Sequence, residues 1–288
     1  MELRFSQKSL LILHTQFTIL NSPFSMLSYS FLVRALLAAL LSSVSLAMFS
    51  PFVTLRRISY LGEALSHMAF AGIAIALLVG LDIQFTALAF VVLVALAIGW
   101  LSQKHKLEEA NTITIFLSVS MALGIILINL KKSYSFDLAS YLFGNVLLVS
   151  QADLIRVGIL ALLSLGFILL LYKELFYLSY NSEMAGFYRV PVVLVNRLFL
   201  ALLAANIVIN LKAAGIILVS AQLILPAATA FNLARRLTIV IVLSALVAVI
   251  AALGGFALSW WLDLPTGANI VMLEFVLFIL SLVIRRRF

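Results

Sequence analysis

The chain is a succession of apolar runs, each about as long as a bilayer is thick. Runs of roughly 20 predominantly apolar residues occupy 31–52, 61–80, 84–102, 112–130, 153–172, 191–210, 213–232, 237–262 and 268–284. A helix of that length crosses ~30 Å of hydrocarbon and satisfies its own backbone N–H and C=O groups on the way. Composition agrees: 65% of the 288 residues are hydrophobic and 10% are charged, against about 25% charged in a soluble domain. A water-soluble fold of this size has no means of hiding so much apolar surface. The fold class expected is therefore all-α, a polytopic bundle of about eight or nine transmembrane helices in the cell (inner, cytoplasmic) membrane. No polar stretch is long enough for a separate soluble domain, so residues 26–288 form a single transmembrane domain. Residues 1–25 are an N-terminal extension that is given no function; a signal peptide and a second start at Met26 both fit it. The apolar piece 138–150, LASYLFGNVLLVS, is too short to cross and is expected to be re-entrant or interfacial.

Basic residues set the orientation. With Arg56 and Arg57 in the cytoplasm and alternation from there, Lys104, His105, Lys106, Lys173, Arg189, Arg235, Arg236 and Arg285–Arg287 all fall inside. Lys131, Lys132 and Lys212 are left at outer ends. Nine spans with the N-terminus out and the C-terminus in satisfy the positive-inside rule. That rule also accounts for the net charge of +8 without a nucleic-acid partner. Trp260 and Trp261 fall where an interfacial aromatic belt is expected. The longest cytoplasmic loop, 173–190, is expected to carry a short helix on the membrane's inner face over Glu183–Tyr188.

Within this apolar background a few polar residues stand out. YLGEALSHMAF, 60–70, holds Glu63 and His67, which share one helical face at i and i+4. Ten helical steps from Arg57 put His67 ~15 Å along the axis, about half of the hydrocarbon thickness. A charge there costs at least ~2.5–3.5 kcal/mol on insertion scales. A divalent cation offsets that cost, since Zn²⁺ and Mn²⁺ both accept imidazole nitrogen and carboxylate oxygen. The competing reading, a Glu–His hydrogen bond that ties helices together, is disfavoured for two such groups on one face flanked by Gly62 and Gly72. Cysteine is absent, so thiolate ligands and disulfides are excluded. Glu274, in the last span, either lines the same path or pairs with an outer-half cation such as Lys212 or Arg34; pairing is the preferred reading. Asn206, Asn210 and Gln222 are expected to hydrogen-bond between spans, and Arg34, Arg156 and Arg197 to snorkel from span ends. No G-x-x-x-x-G-K-[ST], H-E-x-x-H or G-x-S-x-G occurs, so the chain does not cradle ATP phosphates itself and lacks two common hydrolase signatures.

Four ordered stretches resemble one family, the permease subunits of zinc/manganese ABC transporters. LRRISYLGEALSHMAFAGIAIALLVG (55–80) is similar to that family's signature around G-[DE]-x-x-x-H, and FDLASYLFGNVLLVSQADL (136–154) to its D-L-x-x-x-L-F-G segment. AAGIILVSAQLILPAATAFNLARRL (213–237) resembles its P-A-A-T-A motif, and LDLPTGANIV (262–271) its x-D-x-P-x-G-x-x-I-V. Together they span roughly residues 26–284. The resemblance implies a permease without enzymatic activity, with no permanently bound cofactor and Zn²⁺ or Mn²⁺ as cargo. Its implied partners are a second permease chain, a cytoplasmic ATP-binding subunit and an extracytoplasmic metal-binding protein. It places the transport site on Glu63 and His67, and the ATPase-coupling segment at about 181–190, including Glu183, Met184, Ala185 and Tyr188. LASYLFG is closer to zinc members, so zinc is preferred to manganese. Ala71, Thr114, Asn145, Gly186 and Arg189 depart from the family pattern, none of them in the acid–histidine pair. Two other readings compete: an ion- or proton-coupled secondary transporter that uses Glu63 and His67 as a relay, and an ABC permease for a bulkier chelate.

Overall fold

A computed structural model of the chain describes residues 30–105, 107–130, 149–180, 185 and 191–285. Ten helices run through them: α1 Ser30–Leu55, α2 Leu61–Val79, α3 Ile83–His105, α4 Glu109–Leu130, α5 Gln151–Leu170, α6 Tyr172–Tyr180, α7 Val192–Gln222, α8 Leu225–Leu233, α9 Leu237–Leu262 and α10 Thr266–Arg285. Eight candidate spans result, because Val192–Leu233 counts as one 42-residue unit. It contains two of the nine spans expected from sequence. The extension 1–25, nearly all of 138–150, and Glu183, Met184 and Tyr188 lie outside the described residues.

The long unit cannot be one straight helix, which would measure ~63 Å, twice the hydrocarbon core. Its break is at Gly215, with φ 76° and ψ 166°, a conformation essentially reserved for glycine. Contacts on either side show that the chain turns back there. Phe199 packs on Phe49 and Phe52, with ring centroids 5.6 and 6.5 Å away, near the end of α1. Gln222 donates to Ser43 Oγ at 2.9 Å. A continuous helix would set Gln222 ~34 Å beyond Phe199, whereas Ser43 and Phe52 are only ~14 Å apart along α1. The returning limb runs alongside α10. A β-carbon on Gly267 would meet the Ala214 carbonyl and Leu218, and Asn232 Nδ2 donates to Ser281 Oγ at 3.0 Å near the other end.

Polar contacts sort the helix termini into two groups. At one end Arg56 meets Glu109 and its guanidinium lies 5.0 Å from the Phe199 ring centroid. At the other end Asp153 accepts from Lys212 at 2.7 Å and from Arg156 at 3.4 Å, and Arg156 also donates to Gln84. Among the described residues, nine alternating passes connect these two ends, seven single helices and the two limbs of α7–α8.

The core lies where α1, α2, α3 and α7 meet, with Leu46, Phe49, Phe52, Leu65, Met68, Phe199, Leu203 and Ile207 fully buried. α4 and α5 instead present Ile115, Val119, Leu162, Leu163 and Leu170 outward, as helices with a lipid neighbour can. α1 continues through Pro51. Proline has no N–H for the carbonyl four residues back, and here Ser50 Oγ donates to that carbonyl, Ala47 O, at 2.8 Å. The loop 173–190 departs from expectation, because it is already helical from Tyr172 as α6, with Leu175 and Leu178 buried beneath it.

Candidate functional site

The turn between α1 and α2 is folded inward. Arg57 adopts φ 58°, Ile58 N–H donates to Val53 O and Leu61 N–H to Ile58 O, and Ile58 and Leu61 are both buried. The helical rise therefore begins at Leu61, and the ten-step depth estimate from Arg57 is corrected. His67 lies six steps, ~9 Å, into α2, and Glu63 occupies its first turn, where the helix dipole favours an anion.

α2 is buried on nearly every side. Leu61, Gly62, Ala64, Leu65, Ser66, Met68 and Ala69 are all enclosed, while Glu63 is exposed and His67 is half-buried. The two titratable side chains are thus the ones that this part of the helix leaves open. Gly62 stands against the break in the α7–α8 segment: a β-carbon there would meet Leu223 Cδ1 at 2.4 Å. The chain leaves helical geometry at Ile224, φ −125° and ψ −57°, before Pro226 opens α8. Pro226 has no N–H, so the Gln222 carbonyl four residues earlier loses its usual partner. The open strip of Glu63 and His67 therefore begins next to an interrupted helix, an arrangement that recurs at ion sites of membrane transporters.

The other expected residues are placed as follows. Glu274 does not complete a group of three His, Asp or Glu donors with Glu63 and His67; no such group occurs among the described residues. It is fully enclosed and neither carboxylate oxygen has a hydrogen-bond partner. The expected pairing with Lys212 is overturned, because Asp153 takes Lys212. Ala185 is helical and fully buried. Asn206 does bridge helices, donating to Ser164 Oγ at 2.8 Å, and so does Gln222 through Ser43. Asn210 bonds instead within its own helix, to Asn206 O. Arg156 is held by Asp153 and Gln84 rather than snorkelling freely.

Sequence reasoning missed three ion pairs. Arg56 is deeply buried against Glu109; burial pushes its guanidinium below the ordinary arginine range, and the Glu109 carboxylate pulls it back up. Asp153 caps α5 reciprocally with Ser150 while holding Lys212 and Arg156. Its signal was in the sequence as Ser-x-x-Asp ahead of an apolar run.

Residues 28–285 match the ABC 3 transport family. The manganese transport system membrane protein MntC of Halalkalibacterium halodurans is 38% identical over 257 residues, covering 89% of this chain and 88% of the relative. The high-affinity zinc uptake system membrane protein ZnuB of Haemophilus influenzae is 27% identical over 259 residues, covering 90% and 99%. Among solved structures, PsaBC from Streptococcus pneumoniae in complex with Fab is 31% identical with a TM-score of 0.75, covering 88% of this chain and 91% of that one.

Proposed function

The chain belongs to the ABC 3 transport family, and from that premise we propose that it is the membrane permease of an ATP-driven importer of divalent metal ions, with Glu63 and His67 as transient ligands of the ion. It is a multi-pass membrane protein and a permease rather than an enzyme; ATP hydrolysis belongs to a cytoplasmic partner subunit. The observation that carries the reading is the open strip itself, in which the imidazole and the carboxylate are left uncovered on an otherwise enclosed helix, beside a broken one. One chain offers two such donors there, and no third His, Asp or Glu joins them among the described residues. A structural metal site closes with four protein ligands. Two ligands, completed by water or by the same strip of a second permease chain, suit an ion that must leave again.

Imidazole with carboxylate serves zinc and manganese alike. The sequence motifs favoured zinc; the names of the relatives support manganese, since the MntC protein stands at 38% identity and the ZnuB protein at 27%. Manganese is therefore the first cargo to test. The Arg56 end is the cytoplasmic one, where segment 181–190, through Glu183, Met184 and Tyr188, contacts the ATPase. An extracytoplasmic metal-binding protein delivers the ion at the Lys212 end.

The test is radiolabelled manganese accumulation in proteoliposomes that hold the permease, its ATPase and its binding protein. Accumulation should require ATP and fall when excess zinc competes. Accumulation driven by a proton gradient with no ATP present would instead establish the secondary-transporter reading, with Glu63 and His67 as a relay.

A further inference from the structure

Glu274 is an acid enclosed in the bundle interior. It is 0% exposed, and neither carboxylate oxygen has a hydrogen-bond partner. Among the described residues, α10 packs chiefly against α7, α8 and α9. α8 and α9 contain no titratable residue. α7 contains Arg197, which is exposed near its start, and Lys212, which is committed to Asp153. α1, reached through Ser43, contributes Arg34, ~14 Å away along its own helix. The polar neighbour of Glu274 is the side-chain amide of Gln222. That amide uses Nε2 to donate to Ser43 Oγ, and its Oε1 accepts from no donor. Buried acceptor oxygens on α10 and on α7, whose side chains are neighbours, are thus both left without a hydrogen. Leaving buried acceptors unpaired in an apolar medium is unfavourable, and one proton resolves the shortage on both sides.

We propose that Glu274, Gln222 and Ser43 form an intramembrane proton-binding site, in which the Glu274 carboxyl carries the proton and donates it to Gln222 Oε1. Gln222 Nε2 continues the chain to Ser43, so that α10, α7 and α1 are strapped together at the break that precedes α8. The site takes a proton rather than a metal because Glu274 belongs to no group of three His, Asp or Glu donors among the described residues. It also makes proton binding depend on the position of the returning limb. If Gln222 moves away, the acid loses its acceptor, water enters, and the proton passes from the carboxyl to that water, leaving a carboxylate.

The experiment is infrared spectroscopy of the full chain in lipid nanodiscs, with glutamate carboxyls carbon-13 labelled. At neutral pH the folded wild-type chain should show a carbonyl stretch of a protonated glutamic acid that shifts in heavy water. Glu274→Gln should remove that band and keep the thermal midpoint close to wild type, because an amide N–H can donate to Gln222 Oε1 in its place. Gln222→Leu should retain the band but shift it, since the acceptor is lost; this variant assigns the band even if Glu274→Gln fails to fold. The proposal is overturned if the wild type has no protonated-glutamate band at neutral pH, or if both variants leave the band unmoved. A thermal midpoint that depends on sodium, with no acid band, would make the site one for a metal cation and overturn it equally.

Discussion

At the scale of single residues, α2 leaves Glu63 exposed and His67 half-buried while it encloses their neighbours. Glu63 and His67 were legible because i and i+4 spacing puts them on one face and apolar surroundings make any such pair conspicuous. Their openness was not legible, since it depends on how α3, α4 and α7 cover the rest of α2. Glu274 shows the same limit: Lys212 was a reasonable partner by depth, yet Asp153 holds it at 2.7 Å. Nothing in one-dimensional spacing decides between two acids that compete for one ammonium group. If Glu63 and His67 are the transport ligands, His67→Ala should lower manganese uptake by at least about 10–100-fold, the cost already typical of losing a residue that only supports a ligand. Glu63→Gln should act similarly because it keeps the shape and removes the charge, and Glu63→Asp should retain part of the rate. Detergent-extracted yield and thermal midpoint should barely change, because neither side chain is packed into the core. Wild-type uptake by both His67→Ala and Glu63→Gln would place the site elsewhere.

At the scale of elements, the apolar runs mapped well onto helices because each must close its own hydrogen bonds in lipid. Runs 191–210 and 213–232 are two passes, as their lengths suggest. What they did not convey is that the chain reverses between them at Gly215, with a second interruption at Ile224. α6 was hidden for a related reason: Lys173 and Glu174 ended the apolar run, although Leu175 and Leu178 go on to bury one face of a short helix. Gly215 gives the clearest energetic test. Its φ of 76° and ψ of 166° lie in a region that costs other residues about 1–3 kcal/mol, so Gly215→Ala should destabilise the folded chain by that amount. Gly166→Ala is the control: Gly166 lies inside α5 with no heavy atom within 4 Å of its would-be β-carbon, and alanine there should stabilise by roughly 0.5–1 kcal/mol. Equal effects of the same sign, measured by reversible unfolding in mixed micelles, would show that the backbone at Gly215 is not under this constraint.

At the scale of the whole molecule, the proposed transport depends on which end faces the cytoplasm. The contacts alone divide the helix termini into the Arg56–Glu109 end and the Lys212–Asp153 end, and the positive-inside rule then chooses between the two orientations. The exposed Arg235 and Arg236, between α8 and α9, belong to the Arg56 end. Trp261, 76% exposed at the close of α9, belongs to the other, where an interfacial tryptophan fits. Because the chain has no cysteine, single cysteines can report the orientation without background. Leu264, 49% exposed in the turn between α9 and α10, lies at the Lys212 end; His105, exposed at the close of α3, lies at the Arg56 end. In intact cells an impermeant maleimide should label Leu264→Cys and leave His105→Cys untouched until the membrane is permeabilised. The reverse pattern would invert the molecule, set the first turn of α2 toward the outside, and make segment 181–190 unable to meet a cytoplasmic ATPase. Labelling of both positions in intact cells would contradict the division of termini itself, and with it the fold-back at Gly215, since an odd number of passes must separate His105 from Leu264 for the two to lie on opposite sides.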